Sequence, residues 1–263
     1  MQGTCRILLK GLAGAVVVGA LALPLGAQTA VYRAPSAQDW TALAQLPDFA
    51  GVWERGGGGG RGGRGGGTPL LPTPAYAAIR DELNARGLED SETANCLPPG
   101  MPGIMTQPYP MEFLLTPGKV TIVIEAYTQV RHIYTDGRGL PEEPNPNFFG
   151  TSVGRWEGDT LVAETVGFSP LTQIARNLPH SGEMRIIERF RLTDPDTMTI
   201  ETTVTDPEAL EAPYTTVSTL RRHRDWTIAE YICEENNRNY LGADGKAGII
   251  LDNPGGLPPV PGN

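Results

Sequence analysis

The sequence predicts an all-β protein, specifically an antiparallel β-barrel with one short helix and long loops. From Glu112 onward, short stretches rich in Val, Ile, Thr and Tyr alternate with turn signals such as Pro117-Gly118 and Asp136-Gly137. Residues 151–168 contain two β-favouring runs around Glu157-Gly158-Asp159, where Gly158 supplies the positive φ of a tight hairpin turn. Short strands with such frequent turns favour a barrel or a sandwich.

The first 27 residues have the pattern of a Sec-type signal peptide. Arg6 and Lys10 precede an apolar run from Leu12 to Leu25, and the segment ends at Ala27. Gly and Pro interrupt this run, which is shorter than the roughly 20 apolar residues that span a bilayer. We therefore expect a periplasmic or secreted protein without an integral membrane segment after cleavage.

The charge and length of the chain limit its function and its domain count. The formal net charge is −9, and cleavage of a basic signal peptide makes the mature chain more acidic. This balance disfavours nucleic acid as a partner, because nucleic acids bind positive surfaces. We expect a lead-in over 28–46, one barrel domain over 47–237 and a flexible tail over 238–263; the sequence leaves the oligomeric state open.

The first part of the barrel domain contains a strand, an insertion and a helix. Gly51-Val52-Trp53 resembles the first strand of lipocalin- or calycin-like barrels, where the indole closes the barrel floor; a Trp packed in any β core is the alternative. Residues 56–67 are glycine broken only by arginine, which predicts a disordered insertion. Thr73 as cap, Pro74 at the first turn and Gly87 as stop predict a helix, and residues 35–40 could start another.

A proline-rich loop over 96–110 follows, and its first residue is one of two cysteines that remain after cleavage of the signal peptide. In an oxidising compartment Cys96 and Cys233 are expected to form a disulfide. A catalytic or metal-binding pair of thiols is the alternative, but no CxxC spacing or nearby His supports it.

Three strands are predicted to carry an acid among apolar neighbours of one face, namely Glu164, Glu188 and Glu230. If that face lines the interior, three carboxylates gather in one hollow, where an unpaired ion costs several kcal/mol. Such acids suit acid–base chemistry or ligand binding. The alternative is that they form ion pairs with arginines or lie at strand ends near solvent; the candidate arginines are Arg131, Arg185, Arg189 and Arg221.

The remaining candidates are histidines and side chains near the predicted barrel mouth. His180 and Glu183 form a possible proton shuttle, His132 lies on a β-rich strand, and Arg131 or Tyr134 could stabilise an anion. The candidate catalytic residues are therefore His180, Glu183, Glu188, Glu230 and His132. The candidate substrate-binding residues are Glu164, Arg131, Tyr134, Tyr109, Met105 and Phe148. Met101 and Phe149 extend this apolar group, whose members could instead anchor their loops. Motifs for a metal or a cofactor are missing, and none is expected.

Several motifs together resemble a family of secreted bacterial β-rich proteins for which no activity is established. They are Cys96-Leu-Pro-Pro-Gly-Met-Pro, Gln107-Pro-Tyr-Pro, Arg131-His-Ile-Tyr-Thr-Asp-Gly-Arg138, Gly154-Arg-Trp-Glu-Gly-Asp-Thr-Leu-Val162, His180-Ser-Gly-Glu183 and Glu230-Tyr-Ile-Cys-Glu-Glu-Asn236. The resemblance covers most of residues 47–237 and implies export and a single domain, but no reaction. The long Gly/Arg tract departs from the shorter connection expected there.

The sequence thus predicts an exported barrel that binds a small, partly apolar organic molecule beside buried carboxylates. The first alternative is an enzyme, a lyase, isomerase or hydrolase, that uses His and Glu as acid and base on a small organic substrate. The second alternative is a structural or interaction protein of the cell envelope, whose interior would be filled by its own side chains.

Overall fold

The computed structural model describes residues 34–56, 67–86 and 96–232, and the backbone of two short strands at 239–241 and 247–249. The predicted signal peptide, most of the Gly/Arg insertion, most of the tail and Cys233 lie outside the described residues. The predicted disulfide between Cys96 and Cys233 therefore stays a prediction.

The described residues form two α-helices, nine barrel strands and two small two-stranded sheets. The helices are α1 (Ala37–Leu43) and α2 (Pro74–Arg86). The barrel strands are β1 (Gly51–Arg55), β2 (Met111–Thr116), β3 (Lys119–Ile124), β4 (Gln129–Tyr134), β5 (Thr151–Glu157), β6 (Thr160–Val166), β9 (Arg185–Asp194), β10 (Thr197–Thr205) and β11 (Tyr214–His223). The small sheets pair β7 (Gln173–Ala175) with β8 (Leu178–Pro179), and β12 (Asn239–Leu241) with β13 (Ala247–Ile249).

The barrel closes because β1 pairs with both β2 and β11, and the full order is β1-β11-β10-β9-β6-β5-β4-β3-β2. The predicted β-barrel is confirmed, but the prediction that it is antiparallel throughout was wrong. Strands β4 and β5 run parallel, with Ile133 opposite Ser152. A parallel pair needs a crossover, and residues 135–150 provide it by returning along the barrel. The lipocalin- or calycin-like identity stays a prediction.

Local sequence accounts for most of these elements. The β5–β6 hairpin forms as predicted, and Gly158 takes a φ of +63° in its turn. Helix α1 begins with a capping box between Ser36 and Asp39, within the segment 35–40 that the sequence indicated could start a second helix. The strand predicted to carry Glu230 does not form among the described residues, since 226–232 lie outside any strand. Its backbone instead bonds the β3–β4 turn, where the Thr128 hydroxyl donates to the carbonyl of Tyr231.

One end of the barrel, here called the floor, lies where β1 begins and β11 ends. Trp53 is fully buried there, and its indole N–H donates to the carbonyl of Phe49 at 2.9 Å. The Arg222 guanidinium lies 4.5 Å above the Trp53 ring. The Phe49 ring lies 5.1 Å from that of Trp156 on β5, across the barrel from β1. The floor is therefore closed by aromatic packing.

The opposite end, here called the mouth, lies where β4, β5 and β9 begin. The proline-rich loop 96–110 contributes Met101, Ile104 and Met105 to the core, and each of these side chains is buried. The backbone N–H of Met101 donates to the carbonyl of Phe148 at 2.8 Å, which joins this loop to the crossover 135–150. Within the described part of the chain, no helix has the length and apolar character needed to cross a membrane.

Candidate functional site

The barrel interior contains an ion pair between Arg131 on β4 and Glu188 on β9. Arg131 is 1% exposed and Glu188 is 0% exposed. The guanidinium Nη1 donates to Glu188 Oε1 at 3.1 Å, and Nη2 donates to Oε2 in a shorter bond. This two-pronged geometry is the strongest arrangement of an arginine and a carboxylate. A charged pair that is removed from water costs free energy, so its presence in the core requires an explanation.

Two hydroxyl groups complete this cluster on the strands between β4 and β9. Arg131 Nη2 also donates to Ser152 Oγ at 3.3 Å and to Thr165 Oγ1 at 3.2 Å. These two hydroxyls lie 2.8 Å apart, so one of them donates to the other. The second hydroxyl proton has no acceptor in these contacts.

Arg131 also has a donor without an acceptor. Its Nε is buried and forms no hydrogen bond with any described residue. Buried N–H groups are nearly always bonded, and leaving one unpaired costs about 1–3 kcal/mol. The acceptors of Glu188, Ser152 and Thr165 therefore do not satisfy every donor of Arg131.

Strand pairing extends this polar cluster around the barrel. Glu188 lies opposite Ala163 on β6 and opposite Thr202 on β10, and Thr202 lies opposite Thr216 on β11. Thr202 shares its strand face with the buried Ile200 and Val204, so it faces inward. Thr216 and Ser218 face inward by the same alternation. We call these residues the polar belt: Arg131, Ser152, Thr165, Glu188, Thr202, Thr216 and Ser218.

The polar belt divides the interior into two halves. On the floor side the large rings of Trp53, Phe113 and Phe190 pack together, with centroid distances of 6.5 and 6.1 Å. On the mouth side the inward positions include Ile186 on β9, Val204 on β10 and Tyr214 on β11, and all three side chains are buried. Thr202 and Thr216 remain partly accessible to solvent although they face inward.

The predicted gathering of three acids in one hollow was wrong, because only Glu188 lies inside. Glu164 faces outward and pairs with Arg185, as the ion-pair alternative expected. Glu230 is exposed and lies outside any strand. The sequence could not settle the face of Glu164, since Leu161 and Val162 are both buried and β6 is covered on both sides.

The His180 ring links its own loop to the loop that contains Ser169 and Thr172 through hydrogen bonds. Its Nδ1 lies 2.6 Å from the carbonyl of Ser181, and its Nε2 lies 2.9 Å from the carbonyl of Ser169 and 3.0 Å from the hydroxyl of Thr172. Both ring nitrogens are therefore occupied by local hydrogen bonds. Glu183 is exposed, and the contacts of the His180 ring among the described residues do not include it. The structure does not bring this predicted pair together as a shuttle.

His132 and Tyr134 lie on the outer face of β4, opposite to Arg131. His132 is exposed and its Nδ1 lies 3.2 Å from the hydroxyl of Thr121. Partial desolvation of the ring, followed by the positive charge of Lys119, lowers the pKa of His132. Tyr134 lies beneath the Arg138 guanidinium, which is 3.9 Å from its ring. Neither side chain reaches the interior.

The predicted apolar contacts of the mouth lie in loops, and most of them are anchors. Met105 is buried, and Phe148 is partly buried. Tyr109 packs against Tyr231 with ring centroids 5.2 Å apart, and burial raises its pKa. Tyr231 lies equally close to Tyr127, so the three rings join loop 96–110, the β3–β4 turn and the C-terminal segment.

Sequence reasoning missed the hydroxyl side chains of the polar belt and one buried acid. Ser152, Thr165, Thr202 and Thr216 carry no distinctive signal, because Thr and Ser are common in strands. Asp206 is 2% exposed and accepts hydrogen bonds from the backbone and hydroxyl of Ser181 at 2.7 and 2.6 Å. It also accepts bonds from two backbone N–H groups of its own loop, which explains its burial without a ligand.

Comparisons with known proteins add no assignment to this geometry. No protein-family model matches the chain, and no curated protein matches it significantly. Across the described residues, no cluster of three or more His, Cys, Asp or Glu side chains could hold a metal ion. The functional argument therefore depends on the polar belt.

Proposed function

We propose that this protein is an exported β-barrel that binds a small, partly apolar organic molecule in the mouth half of its interior. The observation that carries the proposal is the polar belt, in which the buried Arg131–Glu188 pair retains an unpaired donor. Ligand sites are mostly apolar cavities with a few convergent polar groups, and barrel mouths are frequent locations. A ligand would enter from the mouth, and loop 96–110 would move to admit it.

The closed floor supports the direction of entry and the lipocalin-like character of the proposal. Trp53, Phe49 and Trp156 pack across that end, so a ligand entering there would have to displace the aromatic core. At the mouth, the barrel is covered by loop residues rather than by paired strands. Loops open at lower free-energy cost than strand ladders do.

Among the described residues, no histidine lies beside the buried Glu188 to act as the base that the alternative enzyme function requires. His180 is held by loop carbonyls, and His132 lies on the outer surface. Glu188 has Arg131 as its partner. Binding is therefore the function that these contacts favour.

The binding proposal can be tested on protein purified from the periplasm of a bacterial host. Organic extraction and mass spectrometry should recover a small molecule in stoichiometric amount. The variant Thr216→Leu, which adds bulk inside the barrel, should lose it. Val217→Leu, on the outer face of the same strand, is the matched control and should retain it. Equal recovery from both variants would place the molecule elsewhere, and recovery of nothing from any of them would contradict binding.

Export is a separate part of the proposal and depends on residues 1–27. The intact mass of the periplasmic protein should correspond to a chain that begins at Gln28. Deletion of 2–27 should leave the protein in the cytoplasm. A full-length chain in the cytoplasm would contradict export but not ligand binding.

A further inference from the structure

The donors and charges of the polar belt indicate which chemical class of ligand it would accept. This inference rests on the proposed function, because it assumes that a small molecule occupies the mouth half of the barrel. We infer that the ligand presents an uncharged hydrogen-bond acceptor, such as a ketone, ester or ether oxygen, to Arg131.

The first step is the count of donors. The Arg131 guanidinium has five N–H groups, and its contacts are two bonds to Glu188 and one N–H shared by Ser152 and Thr165. Two N–H groups, the Nε–H and the second N–H of Nη1, remain without a partner among the described residues. One hydroxyl proton of the Ser152–Thr165 pair is also left over. A ligand that supplies only an acceptor would satisfy donors that the protein itself leaves unpaired.

The second step is the count of charges. Arg131 and Glu188 are equally buried, and together they are neutral. A carboxylate ligand would add a negative charge that no second buried cation nearby balances in the described part of the chain, since the buried Arg222 side chain lies at the floor against Trp53 and Asp48. An unbalanced ion in such surroundings is strongly disfavoured. An ammonium ligand should bind more weakly than a carboxylate, because it adds an unbalanced positive charge and further hydrogen-bond donors to a site that already has unpaired donors.

The third step is the position of the unpaired donor. Arg131 is the third residue of β4, close to the mouth, and its two hydroxyl partners lie near the mouth ends of β5 and β6. A ligand with its acceptor at Arg131 would extend its apolar part toward Met101, Ile104 and the loops of the mouth. The recognised molecule would thus be mainly apolar, with one neutral oxygen at its inner end.

The test compares three ligands of equal chain length: a long-chain methyl ketone, the corresponding carboxylic acid and the corresponding amine. Isothermal titration calorimetry at neutral pH should give ketone binding, with the acid weaker by about 100-fold or more, as expected for an unpaired buried ion. The acid should bind better as the pH falls toward its own pKa, because the neutral acid presents a carbonyl oxygen. The amine should not bind detectably.

The double variant Arg131→Met/Glu188→Met provides the control for the donor. It removes the polar pair together, and its ketone affinity should fall about tenfold, the loss expected for one hydrogen bond to a charged donor. The inference is overturned if the acid binds as tightly as the ketone at neutral pH, or if the double variant keeps the wild-type affinity for the ketone. If none of the three ligands binds to the wild-type protein, the proposed function fails together with the inference.

Discussion

The Arg131–Glu188 pair gives the sharpest test of how the interior is built. Arg131→Met removes the cation and leaves the Glu188 carboxylate with no partner in a site that is 0% exposed. Breaking one side of a buried ion pair costs about 3–5 kcal/mol. Glu188→Met should cost a similar amount, because it leaves the guanidinium uncompensated. Two independent losses would add to roughly 6–10 kcal/mol, which would unfold most domains of this size.

The double variant Arg131→Met/Glu188→Met should behave very differently. Replacing both partners by apolar side chains of similar volume is commonly neutral or stabilising by about 1–4 kcal/mol. We therefore expect the free energy of unfolding of the double variant to exceed that of either single variant by several kcal/mol. Urea unfolding followed by circular dichroism measures these differences, provided that the slope of the transition is unchanged.

The outer pair of Arg185 and Glu164 is the matched control. Its side chains are 48% and 27% exposed, and it joins neighbouring strands on the outside of the same barrel. Exposed pairs contribute about 0–1 kcal/mol, so Arg185→Met should have a small effect and little coupling to Glu164→Met. If Arg131→Met lowers the free energy of unfolding no more than Arg185→Met does, the interior pair is exposed to water. That result would contradict the burial seen in the structure and refute the reasoning.

Three further predictions concern the floor, the mouth loops and the disulfide. Trp53→Ala should lower the free energy of unfolding by about 3–5 kcal/mol, whereas Trp40→Ala, at a site 50% exposed, should change it by less than about 0.5 kcal/mol in the same assay. Asp206→Ala should cost about 2 kcal/mol or more and should speed hydrogen exchange in its loop, because several buried donors lose their acceptor; wild-type exchange rates would contradict this. A Cys96–Cys233 disulfide should add about 4 to 5 kcal/mol by the chain-entropy model. Peptide mapping without reductant should find the bond, and equal melting temperatures with and without reductant would exclude its stabilising role.

The barrel could be predicted from sequence because its signals are local. The Glu157-Gly158-Asp159 turn needs a positive φ at Gly158, and the alternating apolar pattern of β9 places Ile186 and Phe190 on one buried face. The parallel β4–β5 pair could not be predicted, since neither strand encodes its partner. Its direction depends on the path of residues 135–150, which carry no regular pattern.

The site was predictable only where alternation was clear. β9 has alternating buried and exposed side chains, so Glu188 was correctly expected inside. In β6 four successive residues from Thr160 to Ala163 are buried, and the apolar pattern does not distinguish the two faces. Glu164 was therefore placed on the wrong side. Thr202 and Thr216 become part of the belt only through strand register, which follows from pairing rather than from composition.

The free energy needed to remove the Arg131–Glu188 pair from water is the reason to connect the polar belt with binding rather than with stability. An apolar pair would pack the mouth half as Phe113 and Phe190 pack the floor, without removing two charges from water. Buried ion pairs can also be retained because they fix strand register, and the two explanations predict different behaviour of the Arg131→Met/Glu188→Met variant. If register is the role, the variant should show broadened amide signals by NMR. If ligand recognition is the role, it should keep dispersed wild-type-like signals and show the roughly tenfold loss of ketone affinity. The outward pairing of Glu164 with Arg185 already ties β6 to β9, so register does not depend on the interior pair alone, and this favours the proposed role of Arg131 in recognition over a role in register.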